Sequence, residues 1–171
     1  KNFSTTALPP LPAAPSNKYA DSFAAAKLGR ALFFDKRLSK GKKFSCASCH
    51  QPEKYFTDGL GRGKAAGETR RSTPSLIGAA WSHWQYWDGR KDSLWSQALS
   101  PIEDHSEMAI DRSDYVRQAM KRYKKEYHAI FGPIEPPKRL RKILKKASPL
   151  GDEKAQQRWQ RMAPETQALV N

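Results

Sequence analysis

Cysteine is almost absent from this chain: there are two, Cys46 and Cys49, both within one five-residue segment. No long-range disulfide can be drawn from them, so any cysteine chemistry is local. Acidic residues are also scarce, 17 against 31 Lys and Arg, which leaves a formal net charge of +14. A summed positive field of that kind steers encounter with acidic partners without fixing the chemistry that follows. No apolar run approaches the ~20 residues needed to span a bilayer. The opening residues, Lys1 to Ala7, lack the charged-then-apolar order of a signal peptide, so the chain reads as mature and soluble. With 171 residues, 38% of them hydrophobic, it holds enough apolar material for one compact core and too little for two.

Leu8 to Ser16 contains Pro9, Pro10, Pro12 and Pro15, which fix φ and remove donors. Residues 1–20 are therefore expected as an extended Pro-rich arm on the surface. From Asp21 onward, the spacing of Phe23, Ala24, Lys27, Leu28, Ala31 and Leu32 predicts a helix capped by Asp21 or Ser22, its apolar side toward the core. Pro52 to Pro74 holds Gly59, Gly61, Gly63 and Gly67 among charged residues, the composition of a long irregular loop. Helices are predicted over Ser93–Leu99 and Ser113–Tyr123, the second with Tyr115, Val116, Ala119, Met120 and Tyr123 on one face. Gly132, Pro133, Pro136 and Pro137 form a break, followed by the basic amphipathic run Lys138 to Lys146 and a helix over Asp152–Met162. The fold class is mainly α, with no strand and no internal repeat.

The segment Cys46-Ala47-Ser48-Cys49-His50 is the strongest chemical signal. Its thiols lie one helical turn apart, so both can add to the two vinyl groups of one haem while His50 reaches the iron. A zinc half-site or a redox dithiol is the bland alternative. Zinc would need further ligands, no second cysteine pair exists, and neither use explains the adjacent histidine. One covalently bound haem c is therefore expected, which implies export from the cytoplasm, to the periplasm. Its task depends on the sixth iron position: a strong ligand such as Met favours electron transfer, and an open position admits peroxide. Met108 follows at a distance that a small electron carrier could use. His83, His105 and His128 are other conceivable ligands, although a single histidine is more often a surface or core residue.

Several short strings occur in a telling order: Leu28-Gly29-Arg30-Ala31-Leu32-Phe33-Phe34-Asp35, the haem motif, Phe56-Thr57-Asp58-Gly59, Arg71-Ser72-Thr73-Pro74-Ser75-Leu76 and Tyr86-Trp87-Asp88-Gly89-Arg90. They continue through Ser93-Leu94, Gln97-Ala98, Pro101-Ile102 and Glu107-Met108. Together they resemble the amino-terminal haem domain of the bacterial dihaem cytochrome c peroxidase and MauG family, over residues 21 to 132. The resemblance implies a c-type cytochrome-like helical haem domain with long irregular loops. It implies Glu107 as the distal glutamate, Gln97 as the distal glutamine and Pro101 as a proline lining the same pocket, with Thr73 and Pro74 also beside the haem. Trp87 matches the tryptophan that lies between two haems and passes electrons. Met108 belongs to the family's Glu-Met pair, where it is not a ligand of this haem. A carboxylate at Glu107 has a clear use, since cleaving the O–O bond of peroxide requires a proton to leave the inner oxygen and reach the outer one. The neighbouring Trp81, Trp84 and Tyr86 read as ordinary aromatic core.

The chain departs from the family pattern in three places. The loop from Asp58 to Gly67 lacks the histidine that many of these peroxidases place on this haem at rest, so the sixth position is expected to be open, as in MauG-like members. Ser72 stands where the family usually has an asparagine of an interdomain calcium site, which argues against calcium, although carbonyls and waters can still serve a hard cation. No second attachment motif follows, so residues 133–171 are expected as a Pro-rich break, a basic helix and a connector toward a second haem domain in a missing domain or chain. The expected activity is that of an oxidoreductase reacting with hydrogen peroxide. It either reduces peroxide with electrons from a small redox protein or, MauG-like, oxidises Trp or Tyr of a partner protein, in both cases a partner with an acidic surface. A monohaem electron-transfer cytochrome with His/Met ligation is the alternative. The run Lys138 to Lys146 would also suit nucleic acid or an anionic membrane surface. Leu140, Ile143 and Leu144 instead have the spacing of a solvated helix packed on the domain, so no nucleic-acid partner is expected.

Overall fold

The computed structural model describes residues 9–15, 17–134 and 142–171. Part of the Pro-rich arm and the opening of the basic run, residues 138–141, lie outside the described residues. Among the described residues there are seven α-helices: α1 (Phe23–Phe34), α2 (Cys46–Cys49), α3 (Leu94–Ala98), α4 (Ser100–Glu103), α5 (Arg112–Phe131), α6 (Glu153–Gln160) and α7 (Pro164–Val170). Among the described residues, pairing between extended segments is limited to isolated bridges, such as Gln51 with Thr57. The mainly α class is thus observed.

α1 starts where the Ser22 hydroxyl accepts from the Ala25 amide at 3.2 Å, satisfying one of the orphan donors of the first turn. It stops at Asp35, whose carboxylate accepts from the Arg37 amide at 2.9 Å and opens a 3₁₀ turn instead. Leu28 is buried and Leu32 packs on the core, but Phe23, at 84% exposure, does not share that face. α5 runs beyond its predicted end at Tyr123 to Phe131. Tyr123 itself leaves helical geometry (φ −116°, ψ 23°), and its hydroxyl donates to the buried Asp35 carboxylate at 2.8 Å. The sequence pattern fades there because Lys124, Lys125 and Glu126, which follow, are all exposed.

α5 lies between two apolar clusters. Leu38, Ile102, Met108 and Ile110 form one, joined by Leu32, Cys46, Leu99 and the Tyr115, Ala119 and Tyr123 side chains of α5. Ile143, Ala147, Trp159, Met162 and Val170 form the other, against Val116 of α5. The carboxy-terminal segment therefore packs onto the same helix as the haem-motif region. A buried ion pair joins them: Arg112 donates to Glu103, Ser148 also donates to Glu103, and Arg112 reaches Asn171. The Glu103 and Arg112 side chains are 1% and 10% exposed.

Three sequence expectations are corrected, and one helix had not been anticipated. Residues 143–146 of the basic run form bends and turns rather than a helix, with Ile143 drawn into the second cluster and Leu144 exposed. The predicted helix over Ser93–Leu99 ends at Ala98, and α4 follows directly with Pro101 in its first turn. α7 has no counterpart in the apolar periodicity, although Pro164 at its start is a usual first-turn residue. Of the residues expected as aromatic core, Trp81 and Tyr86 are half-buried but Trp84 is 64% exposed, and neighbouring Trp87 is 86% exposed. Their turn is closed by Gln85 N–H to Lys91 O at 2.7 Å and Gly89 N–H to Tyr86 O at 3.2 Å, too short a span to bury several indoles. Of the arm, Pro9 to Ala14 is exposed, and the Pro9 carbonyl accepts from the Trp81 indole at 3.1 Å.

Candidate functional site

Ser45 and Ser48 cap the one-turn helix α2, the Ser45 amide donating to the Ser48 hydroxyl at 3.0 Å. That turn places Cys46 and Cys49 on successive positions of one face, with the His50 amide bonded to Cys46 O at 2.9 Å. Both cysteines are half-buried and free of any disulfide. Burial pushes the Cys46 thiol up; burial, followed by the Asp58 carboxylate, does the same to Cys49. A redox dithiol requires the opposite, a thiolate favoured by its surroundings.

The His50 Nδ1 stands 3.0 Å from the Phe56 carbonyl oxygen. A carbonyl only accepts, so Nδ1 carries the proton and Nε2 keeps its lone pair for a metal. The loop that presents this carbonyl is tight: Phe56 N–H donates to Gln51 O at 2.8 Å, and Gln51 N–H to Thr57 O at 3.3 Å. Tyr55 and Phe56 both take left-handed backbone conformations, φ 54° and 60°. Such conformations cost side-chain-bearing residues free energy and cluster at functional sites. Two neighbouring half-buried thiols beside an imidazole with an oriented, available Nε2 fit a covalently attached haem.

The glycine-rich loop links this half of the site to the other. The Cys49 sulphur lies 3.8 Å from Lys64 O, while Ala66 N–H donates to Glu107 O at 3.2 Å and Gly67 N–H to Ser106 O at 3.0 Å. Buried Asp58 pins the loop by accepting from the Thr73 hydroxyl at 3.0 Å and the Leu60 amide at 3.1 Å. A β-carbon at Gly63 would lie 2.9 Å from the Thr73 Oγ1 and 3.0 Å from the Thr69 Oγ1. Gly63→Ala is accordingly expected to lower stability by about 1–3 kcal/mol, as overpacking does, read as a lower urea midpoint of the haem-loaded chain. An unchanged midpoint would show that this loop yields freely.

Glu107 is mostly enclosed, and burial, reinforced by the Asp104 carboxylate and opposed by Arg90, pushes its carboxyl up to about 7. Gln97, on α3, and Ser100 bear on the half-buried Tyr86 phenol, which lies within the field of Glu107. Pro101 opens α4, and its carbonyl accepts from the Met108 amide at 3.1 Å. Gln97, Pro101 and Glu107 are thus gathered in one region. Thr73 is tied to Asp58 beside Cys49, and Pro74 is exposed. Trp87 points outward, with the Arg71 guanidinium 5.8 Å from its ring. Met108 is 4% exposed and packed among Leu38, Ile102 and Ile110. His83 and His105 are exposed, and His128 lies beside Tyr127 at the end of α5.

Tyr86 and Arg90 were not singled out by sequence reasoning as parts of the site. Tyr86 holds φ 68°, and the Arg90 guanidinium, bonded to Asp88 at 2.7 Å, lies 3.5 Å from its ring centroid. The Asp88-Gly89 dipeptide is the signal that marks this reversal, because such pairs favour tight turns. The Phe56 carbonyl had no signal at all, being backbone.

Residues 23–162 match the family model described as di-haem cytochrome c peroxidase. The chain is 41% identical over 113 residues to the methylamine utilization protein MauG of Methylorubrum extorquens, covering 64% of this chain and 32% of that protein. It is 34% identical over 114 residues to cytochrome c551 peroxidase of Nitrosomonas europaea, covering 64% and 34% respectively. The chain thus spans about a third of the length of these relatives. Among solved structures, a MauG-like protein associated with microbial copper homeostasis superposes with a TM-score of 0.65 at 30% identity, over 76% of this chain and 39% of that one. The diheme peroxidase BthA from Burkholderia thailandensis gives 0.56 at 27% identity, over 66% and 33%. With the match extending over most of its length, this chain belongs to the di-haem cytochrome c peroxidase family.

Proposed function

We propose that this chain forms the peroxide-reacting haem domain of a periplasmic oxidoreductase, with one haem c held by Cys46, Cys49 and His50. The observation that carries the reading is the pairing of an oriented His50 imidazole with the enclosed Glu107 carboxyl across one glycine-rich loop. A haem held there would supply an iron able to bind peroxide and exchange electrons with it. The Phe56 carbonyl fixes the His50 ring and its tautomer, and strengthens Nε2 as a ligand. Glu107 takes the proton from the inner oxygen of hydrogen peroxide and returns it to the outer one, a task suited to an acid that titrates near neutrality. Gln97 would orient the peroxide by hydrogen bonding, Pro101 would line the same pocket, and Thr73 and Pro74 would lie beside the haem. Trp87 would conduct electrons between this haem and a second one carried by another domain or chain.

Whether electrons arrive from a small redox protein or are withdrawn from a Trp or Tyr of a partner protein separates two versions of this function. The absence of histidine between Asp58 and Gly67 favours the second, because no imidazole of that loop competes for the iron. The core packing of Met108 speaks against a His/Met electron carrier. Among the described residues no helix is long and apolar enough to cross a membrane.

The test is the ferric absorption spectrum of the haem-loaded chain before and after one equivalent of hydrogen peroxide. A high-spin spectrum that changes within the mixing time supports the proposal. A low-spin spectrum with a methionine-to-iron charge-transfer band and no response to peroxide overturns it. Sustained turnover with a reduced cytochrome, against stoichiometric modification of a protein, separates the two versions.

A further inference from the structure

α5 presents two tyrosines to the cluster that also receives the haem-attachment cysteine Cys46. Tyr115 and Tyr123 lie eight residues apart on this helix, about 12 Å along its axis. Both pack, as Cys46 does, on Leu38, Ile102, Met108 and Ile110. Tyr115 is the one that shares its surroundings with the cysteine: burial pushes its phenol up, and Cys46, then Asp35 and Tyr123, add to the push. Among the described residues no carboxylate accepts a hydrogen bond from the Tyr115 phenol.

Tyr123 is provided for differently. Its hydroxyl donates to the Asp35 carboxylate at 2.8 Å, and the Arg37 guanidinium stands 3.4 Å from the same hydroxyl oxygen. Asp35 also accepts from the Arg37 side chain at 2.7 and 2.8 Å, and that side chain holds its carboxyl down at about 2, so it is ionised throughout the neutral range. α5 leaves helical geometry at Tyr123, the residue whose phenol makes this bond. The Asp35 side chain is 5% exposed and that of Arg37 56%, so the group connects the core to the surface.

A phenol gives up an electron readily when its proton can leave at the same time. Otherwise a cation is left in an apolar setting, where an isolated charge is costly. Tyr123 has a base at hydrogen-bond distance and Tyr115 has none. An oxidising equivalent coming from the Cys46 side therefore passes over Tyr115 and rests on Tyr123. Asp35 is a weak base toward ordinary acids, but an oxidised phenol is a strong one, and an ionised carboxylate is always ready to take its proton.

We propose that Tyr123 is a redox-active residue, with Asp35 as its proton acceptor and Tyr115 as its bridge, from which the haem held by this chain draws an electron when none arrives by way of Trp87. The inference rests on the haem assignment above and adds a second exit for oxidising equivalents. Reducing hydrogen peroxide to two waters consumes two electrons and two protons, the protons coming from solvent. The iron gives one electron and Tyr123 the other. The phenolic O–H bond breaks, an O–H bond forms on Asp35, and a neutral tyrosyl radical stays on Tyr123.

The test mixes the haem-loaded chain with one equivalent of hydrogen peroxide, freezes it within milliseconds and reads organic radicals by electron paramagnetic resonance. A tyrosyl signal is expected in the parent, lost in Tyr123→Phe, slower to form in Tyr115→Phe, and kept in Tyr127→Phe, one turn further along α5. Asp35→Asn, whose amide cannot take the phenol proton, should shorten the lifetime of the signal. Spin trapping followed by peptide mapping, done on the parent and so independent of how any variant folds, should place the adduct on residue 123. A tyrosyl signal that survives Tyr123→Phe, or that vanishes in Tyr86→Phe instead, would overturn the proposal. So would a radical confined to Trp87, an adduct elsewhere, or a reaction with peroxide that leaves no organic radical. Failure of the haem assignment would appear separately, as a chain without the haem spectrum or without its response to peroxide.

Discussion

Replacing Glu107 with glutamine is expected to slow the reaction with hydrogen peroxide by about 10²–10⁴-fold, the usual worth of a positioned general acid–base, with covalent haem content unchanged. Gln cannot take the peroxide proton, yet it has nearly the same shape and should leave the loop contacts at Ala66 and Gly67 intact, since these use the backbone of residues 106 and 107. The parent rate should rise with pH through about 7 and then level, because the carboxylate form accepts the proton. In the variant that inflection should disappear. A retained inflection would assign it to another group.

The same substitution carries a stability consequence of opposite sign. Folding raises the Glu107 carboxyl from 4.5 to about 7, so the folded state binds the proton more tightly than the unfolded one. Below pH 4.5 both states are protonated and the residue costs nothing. The penalty grows as pH rises from 4.5 to 7 and is complete above that. Glu107→Gln should therefore gain about 1–3 kcal/mol at pH 8 and almost nothing at pH 4, measured by urea unfolding at both values. Lower catalysis with higher stability is the pattern of a group held in an unfavourable environment for function.

Removing one member of the Glu103–Arg112 pair should have the largest effect on stability. With the Glu103 side chain 1% exposed and Arg112 10% exposed, Arg112→Met leaves a carboxylate buried without its counter-charge. The expected loss is about 3–5 kcal/mol, visible as a lower urea midpoint and early release of the carboxy-terminal segment to proteolysis. Glu103→Leu combined with Arg112→Met should recover much of the loss, because it is the unpaired charge that is costly. A double variant as unstable as the single would instead show that Asn171 and Ser148, which the pair also engages, carry the tie between α4, α5 and α7.

Family membership and the cofactor expectation are legible in the order of residues along the chain: two cysteines one turn apart, an adjacent histidine and a series of short strings at matched spacing. α1 and α6 are legible for a similar reason, as Ser22 and Asp152 cap them through bonds to residues three positions on. Elements shaped by distant partners are not. α5 runs on past its kink at Tyr123, whose hydroxyl reaches Asp35, 88 residues away in sequence. Segment 143–146 coils rather than forming a helix, with Ile143 taken into the cluster of Trp159 and Met162. Trp84 looks like core by composition and is exposed because a short turn leaves it no interior to enter.

By itself, then, the sequence determined the kind of chemistry this chain is built for and the residues of Cys46 to His50 that would anchor it, because those groups act over one helical turn. Only the tertiary structure decided which backbone carbonyl orients His50, that Tyr86 and Arg90 share the field of Glu107, and that Glu107 titrates near neutrality. Hydrogen bonding to a backbone atom, desolvation and the charge of a neighbour depend on what the fold brings together in space, and no single residue type records them.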